Sequence, residues 1–400
     1  MPLVRLPFCL LLMSAAAPAQ RSPLPPDRLA KVRGVLDAVY RLDYEESEKL
    51  SREMISRWPD DPVGYVYLAR VYWQELLLDE RALNLQRFSQ PGFFSETPQY
   101  KASMNPAAAQ RFQAASREAI LRAKAFAAKR PRDAAALFLL GTAYQNEASF
   151  QISLNNAWLA AARAGHLSYV AHRDLLALDS QFGDSYLVTG IYNYTLGSLP
   201  WNVRWIAVLL GYRGSAAKGK QELEAAASRG AIVSDDARTL LTLVYFLEKR
   251  YDLAIQKLDE LCRKYPENYL TRLDLAGVRL RRGDSAAAIG SYLEILAEID
   301  KNHNGFARLE RSIVLNELAV AYRTLKDYSQ AEKWFRLSLD SSVSSTRSRV
   351  TALLELGKTF DLAGRRAAAV RQYRLVQQAQ EFANSHREAT LYLTRPYRDR

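Results

Sequence analysis

The fold is decided by residues 235–266, which read DDARTLLTLVYFLEKRYDLAIQKLDELCRKYP. Leu241, Thr242 and Tyr245 place a large apolar residue, a small residue and an aromatic residue along one helix face. A small residue lets the backbones of two helices approach each other, and the aromatic side chain fills the space beside it. This part of the stretch predicts a helix that packs closely on a partner helix.

The second part of the stretch supplies the partner. Ala254, Leu258 and Leu261 recur at i, i+4 and i+7, the spacing of one buried helix face. The polar run 249–252 predicts a short turn before this helix, and Pro266 ends it. A single pair cannot bury its apolar face alone, so a unit of about 34 residues predicts stacking on further units.

The same pattern returns along the chain. First-helix matches to the large, small and aromatic positions are Leu68, Ala69 and Tyr72; Leu140, Gly141 and Tyr144; Leu318, Ala319 and Tyr322; and Leu356, Gly357 and Phe360. Second-helix matches are Ala288, Tyr292 and Ile295; Ala331, Phe335 and Ser338; and Ala369, Tyr373 and Val376. On these residues the chain resembles the tetratricopeptide-repeat (TPR) family. The resemblance implies an all-α fold, a right-handed superhelical solenoid of stacked antiparallel helix pairs.

Departures from the repeat spacing divide the chain. Residues 28–147 read as N-terminal TPR-like repeats, and the interval between Pro59 and Pro131 is long enough to hold an aromatic insertion at about 82–109. Residues 234–380 read as C-terminal TPR repeats, followed by a capping helix and tail at 381–400. The middle, residues 148–233, is helical but irregular, and the number of repeats in it stays open.

The N-terminus has the features of a secretory signal peptide. An apolar run at 7–13 is followed by small residues up to Ala19, where cleavage is predicted. Residues 20–27 are rich in proline and form a linker to the first helix. The prediction is an exported protein, periplasmic or secreted. After cleavage Cys262 is the remaining cysteine, so no disulfide within the chain is expected.

The sequence does not favour an enzyme. Four histidines are present, none of them in a His-Glu-x-x-His arrangement or beside clustered cysteines. Neither a glycine-rich phosphate loop nor a Gly-x-Ser-x-Gly turn is present. We therefore predict no catalytic residue, no metal site and no cofactor. The net charge of +12 is dispersed over helix ends, and with export it argues against a nucleic-acid partner.

The TPR resemblance implies a scaffold or adaptor that binds a protein or peptide partner through its concave groove and inserted segments. In this family the first helix of each pair lines the concave face, and residues beside the small packing position point inward. By that analogy, six residues are predicted to contact a partner: Arg70, Trp73, Gln145, Asn146, Arg323 and Lys358.

Two further segments are candidates for binding. The insertion carries Phe93, Phe94 and Tyr100, which either pack internally or anchor a partner. The alternative function, binding of a carbohydrate or another small ligand, would use these rings as a stacking platform. Residues 199–212 are apolar and contain Trp201 and Trp205. This segment is a core helix, a seat for a partner helix or a peripheral membrane contact. The oligomeric state stays open.

Overall fold

The protein is described by a computed structural model that covers residues 20–79, 85, 105–155, 157–209, 211–302, 305–341, 344–382 and 384–399; at 202, 206 and 207 it covers the backbone alone. Throughout these ranges the secondary structure is helical, and they contain no strand. The helices follow one another as packed pairs. The predicted all-α array of stacked helix pairs is therefore confirmed.

The first half of the chain contributes nine helices to the described ranges. They are α1 (Pro26–Tyr40), α2 (Tyr44–Arg57), α3 (Val63–Asp79), α4 (Pro106–Lys129), α5 (Ala134–Ser153), α6 (Trp158–Leu178), α7 (Ser185–Gly197), α8 (Trp201–Leu209) and α9 (Ala216–Arg229). Consecutive helices pair as α1 with α2, α3 with α4, and α5 with α6. In the irregular middle, α7 pairs with α9, and α8 lies in the connection between them.

The second half is more regular. Its helices in the described ranges are α10 (Ser234–Leu247), α11 (Tyr251–Lys264), α12 (Tyr269–Arg282), α13 (Ser285–Asp300), α14 (Arg311–Thr324), α15 (Tyr328–Asp340), α16 (Thr346–Leu362), α17 (Arg366–Gln378) and α18 (Ser385–Thr394). A short 3₁₀ helix, Phe306–Arg308, precedes α14. The pairs run from α10–α11 to α16–α17, and α18 covers the last of them.

The first helices of neighbouring pairs form an inner layer. Besides contacting its own partner, α1 contacts α3, α3 contacts α5, α12 contacts α14, and α14 contacts α16. Elements that approach one another most closely lie on the inside of a curved array. The inner surface of the array is therefore built by the first helices.

The repeated sequence pattern forms the interior of the array. Leu241, Leu318 and Leu356 are buried, as are the small residues that follow them. A Cβ atom added at Gly357 would lie 2.5 Å from Cε1 of Tyr373 on the partner helix, so no larger residue fits between these helices without displacement. Most motif positions are core residues, as predicted, whereas Leu140, Tyr144 and Tyr322 are half-buried.

The turns inside the pairs share one backbone conformation. Gly283 and Gly364 have φ of 97° and 74°, in the left-handed region, where glycine avoids the cost that a Cβ atom imposes. Lys249 and Lys326 hold the equivalent position with φ of 58° and 61°. At Asp284 and Asp327 the carboxylate then accepts a hydrogen bond from a backbone N–H of the next helix. These turns end one helix and start the next within two or three residues.

Candidate functional site

The inner layer carries a pocket between α10, α12 and α14. Its lining residues come from these three helices, from Tyr292 of α13 and from position 85: Leu85, Phe246, Leu273, Asp274, Gly277, Val278, Tyr292, Ile313 and Glu317. A cavity of about 30 Å³ remains among them. Most of the lining is apolar, and Asp274 and Glu317 contribute two carboxyl groups.

Leu85 occupies this pocket from a remote part of the chain. Its position follows the end of α3 by six residues, whereas the helices that surround it begin after residue 233. The residue is 8% exposed, and its backbone N–H donates a hydrogen bond to Oδ1 of Asp274 over 3.3 Å. Leu85 thus presents both its apolar side chain and its backbone N–H to the pocket. A polypeptide segment of another molecule could present the same two groups.

The carboxyl of Asp274 on α12 has a pKa well above the usual value for aspartate. Burial raises the pKa of its carboxyl to about 7, although the hydrogen bond from the Leu85 amide acts in the opposite direction. Nearby, the Tyr292 hydroxyl is buried and has no hydrogen-bond partner within the described residues. The site therefore combines an acceptor that titrates near neutral pH with an unsatisfied hydroxyl.

Three of the predicted inward residues lie on α3 and α5 and have partners within the fold. Arg70 is buried and forms an ion pair with Asp236 of α10, with 2.6 Å between Nη2 and Oδ1. Trp73 is half-buried and donates a hydrogen bond to Ser153 over 3.3 Å. Asn146 is buried and donates to the carbonyl of Val66 over 3.0 Å.

Two more predicted residues form an ionic cluster at the other end. Glu355 lies 2.6 Å from Arg323 and 2.8 Å from Lys358, and Lys358 also contacts Glu388 of α18 over 2.9 Å. Burial raises the pKa of Glu355, but the two cations outweigh it and lower that pKa to about 2. This cluster joins α14, α16 and α18.

The remaining predicted residues have different settings. Gln145 is half-buried on α5, whereas Trp201 and Trp205 are exposed on α8. Phe93, Phe94 and Tyr100 lie outside the described residues, so the carbohydrate-binding alternative stays a prediction. A role in partner binding stays a prediction for every residue of the set.

Polar contacts join the first helices of the chain to the start of its second half. The Tyr40 hydroxyl donates to Asp236 over 2.7 Å, and its ring stacks on Tyr265 with centroids 5.0 Å apart. The Tyr265 hydroxyl lies 2.7 Å from Asp37 and 2.8 Å from Asp235. Burial lowers the pKa of Arg70, but the Asp236 carboxylate outweighs it and moves that pKa above its usual range. Arg70 therefore remains a cation inside this contact.

The pocket lies on the helix face that the sequence analysis assigned to the inner surface, but the sequence analysis did not predict the pocket. The residue after the small position of α12 is Gly277, which lines the pocket, and Leu273 and Asp274 lie one turn before it on the same face. The prediction extended the inward row only towards the C-terminal end of each helix. One feature of the sequence could have indicated the pocket: Asp274 is an acidic residue between two leucines, Leu273 and Leu275, and it lies on the inner face of α12.

Comparisons with known proteins give only distant likenesses. Yeast Tom70 is 14% identical over 90% of this chain and 87% of its own, with a TM-score of 0.39. A human IFIT1 dimer with PPP-AAAA is 14% identical over 91% and 83%, with a TM-score of 0.39. The APC/C hetero-tetramer Cut9–Hcn1 is 13% identical over 94% of each chain, with a TM-score of 0.21. No protein-family profile and no curated protein sequence matches the chain.

We expect Arg70→Met to lower the free energy of unfolding by about 3 kcal/mol, because it leaves the Asp236 carboxylate buried without its cation. Urea unfolding monitored by circular dichroism measures this loss. Adding Asp236→Asn should restore part of it. The control is Lys49→Met, which removes an exposed ion pair and should cost less than about 0.5 kcal/mol. Equal losses for Arg70→Met and Lys49→Met would contradict the structural role of Arg70.

Asp274 should make stability depend on pH. Its pKa is raised from 3.8 to about 7 in the folded chain, so the folded state holds this proton more tightly than the unfolded state does. The stability it contributes is present at acidic pH and is lost as pH rises through about 7. Between pH 5 and pH 8 the melting temperature of the wild-type chain should therefore fall more than that of Asp274→Asn. Parallel curves for the two proteins would show that Asp274 does not titrate in this range.

Proposed function

We propose that this protein is a non-catalytic helical-repeat scaffold that binds a polypeptide segment of a partner in the pocket between α10, α12 and α14. One observation carries the proposal: Leu85 is buried among the lining residues of that pocket, and its amide donates to Asp274. The partner segment would present an apolar side chain of leucine size next to a free backbone N–H. Leu85 would then be an intramolecular competitor for the site.

The chemistry of the pocket favours a polypeptide over a small polar ligand. Leu273, Val278 and Ile313 offer an apolar surface, and the accompanying carboxylate accepts one N–H. Stacked helices hold these groups at fixed spacing, because each first helix is packed on two neighbours. A rigid surface binds without a large ordering cost of its own.

The binding free energy that the pocket can contribute is limited. Burial of a leucine side chain contributes about 1.5–3 kcal/mol. The hydrogen bond to Asp274 adds about 0.5–1.5 kcal/mol when its carboxyl is protonated and about 1.5–3 kcal/mol when it is ionised. Leu85 belongs to the same chain, whereas a separate peptide loses about 4–15 kcal/mol of translational and rotational freedom on binding. A partner must therefore contact further parts of the inner surface, and the pocket supplies one anchor among several.

The test uses a fluorescent peptide with the sequence of residues 80–90, ERALNLQRFSQ, added to the full-length chain. Fluorescence anisotropy should show binding to the Leu85→Asp chain at least about tenfold tighter than to the wild-type chain, because the substitution vacates the pocket. The same leucine-to-aspartate change in the peptide should abolish the binding. Introducing Asp274→Leu into the Leu85→Asp chain should weaken it by removing the amide acceptor.

Circular dichroism of each variant serves as the folding control. Equal affinity of the wild-type and Leu85→Asp chains for the peptide would mean that Leu85 does not occupy a binding site. Equal affinity of the two peptides for the Leu85→Asp chain would show that the pocket does not recognise the leucine side chain. Either result would overturn the proposed site.

We also propose that the scaffold acts outside the cytoplasm, on the basis of the apolar run and the small residues before Ala19. Mass spectrometry of the protein from its native host should then find a mature N-terminus at Gln20. A protein that retains Met1 and fractionates with cytosolic markers would refute export without affecting the polypeptide-binding proposal.

A further inference from the structure

Helix α8 (Trp201–Leu209) is set apart by its exposure. Trp201 is 78% exposed, Trp205 is 53% exposed, and Leu209 is 72% exposed. Every side chain of this helix that the structure describes is exposed. Large apolar side chains grouped on a surface in this way mark a site that contacts a membrane or another protein.

Four of the five exposed apolar side chains that the structure describes on α8 share one face, and the fifth, Val203, lies on the opposite side. At 100° per residue, Trp201, Trp205, Val208 and Leu209 fall within an arc of about 100°, and Arg204 lies at its edge. One face with tryptophan and leucine beside a cation is typical of helices that lie in the interface of a bilayer.

The packing of the flanking helices explains why α8 is outside the core. A Cβ atom added at Gly219 of α9 would lie 2.3 Å from the backbone nitrogen of Tyr194 on α7. At Gly197 it would lie 2.1 Å from the nitrogen of Ala216. The backbones of α7 and α9 therefore touch, and no space for a third helix remains between them.

An aromatic cluster contacts the chain that follows α8. Tyr212 lies after the helix, and its ring meets His166 of α6 edge-on with centroids 5.2 Å apart. Tyr169 of α6 stacks on Tyr192 of α7 at 4.0 Å. The connection that follows α8 is thus anchored at Tyr212 to the aromatic cluster on α6 and α7.

The stretch of sequence that contains α8 carries charge of one sign. Between Asp184 and Glu222 the chain contains no aspartate or glutamate, but it contains four cations: Arg204, Arg213, Lys218 and Lys220. The lysines contact Glu222 and Glu248. Arg204 and Arg213 are exposed, and neither forms an ion pair with a carboxylate in the described part of the chain. An anionic surface is complementary to this pair of guanidinium groups.

We infer that α8 is a membrane-interface helix that inserts Trp201, Trp205 and Leu209 among the headgroups of an anionic phospholipid bilayer, with Arg204 and Arg213 on lipid phosphates. Tryptophan favours this zone because its ring is apolar and its N–H is polar. The contact is peripheral, since none of the helices that the structure describes has the length and apolarity needed to span a bilayer. A single nine-residue helix offers a small area for a stable protein–protein interface, which favours lipid as the occupant.

The experiment measures co-flotation of the full chain with vesicles of phosphatidylcholine and phosphatidylglycerol, and with vesicles of phosphatidylcholine alone. The wild-type chain should float with the anionic vesicles, and its tryptophan emission should shift to shorter wavelength. Trp201→Ser combined with Trp205→Ser should weaken binding at least about tenfold. Arg204→Gln combined with Arg213→Gln should reduce binding to anionic vesicles and make it less sensitive to salt.

The matched control is Leu121→Ser on α4, which removes an apolar side chain that is 65% exposed elsewhere on the surface. It should bind vesicles as the wild-type chain does. Failure of the wild-type chain to float, or equal flotation of the double-tryptophan variant, would overturn the proposal. A dimer that disappears with the tryptophan substitutions, without vesicle binding, would instead assign α8 to contact with a second copy.

Discussion

The buried contact between Arg70 and Asp236 is the constraint on which the shape of the array depends. The two residues are 166 positions apart, so their 2.6 Å ion pair connects the second helix pair of the chain to the fifth. Tyr40, Asp37 and Tyr265 extend the contact on both sides. A stack of repeats held only by nearest-neighbour contacts can flex along its length. The contacts of Arg70 and Tyr265 join helix pairs that are not consecutive in the chain. They therefore fix the curvature of the array.

Fixed curvature brings distant segments to the inner surface. Helix α3 carries Arg70 in its middle and ends at Asp79, and Leu85 follows closely in sequence. Once Arg70 is held on α10, the chain that leaves α3 lies within reach of α12, where the Leu85 amide meets Asp274. The ion pair that fixes the curvature therefore also brings Leu85 of the same chain to the pocket. A partner that enters this pocket competes with Leu85, which is tethered to the same chain and so has a high effective concentration. Displacement of Leu85 therefore affects the observed affinity of the partner more than an improved contact within the pocket does.

The sequence predicted the parts of the fold that depend on local contacts. The spacing of Leu241, Thr242 and Tyr245 and the following second helix was sufficient, because a repeat packs only on its neighbours and its buried face is visible in 34 or so residues. Long-range pairing was not predictable. Nothing local to Arg70 shows that its partner is Asp236, and the inward direction derived for Arg70 was compatible with a solvent-facing role in a groove. Leu85 was also missed, since a leucine in a polar stretch gives no indication of the surface it contacts.

The exposed position of α8 follows from the same reasoning about close packing. Where the TPR-like pattern lapses, glycines at Gly197 and Gly219 allow α7 and α9 to pair directly, and the residues between them form a helix with no place in the stack. A core helix was one expectation for this apolar segment, because an apolar stretch of this length is usually buried. Backbone contact between the flanking helices reverses that expectation. The exposed tryptophan and leucine side chains of this helix suit a surrounding less polar than water, and Arg204 and Arg213, close to them in sequence, suit an anionic one.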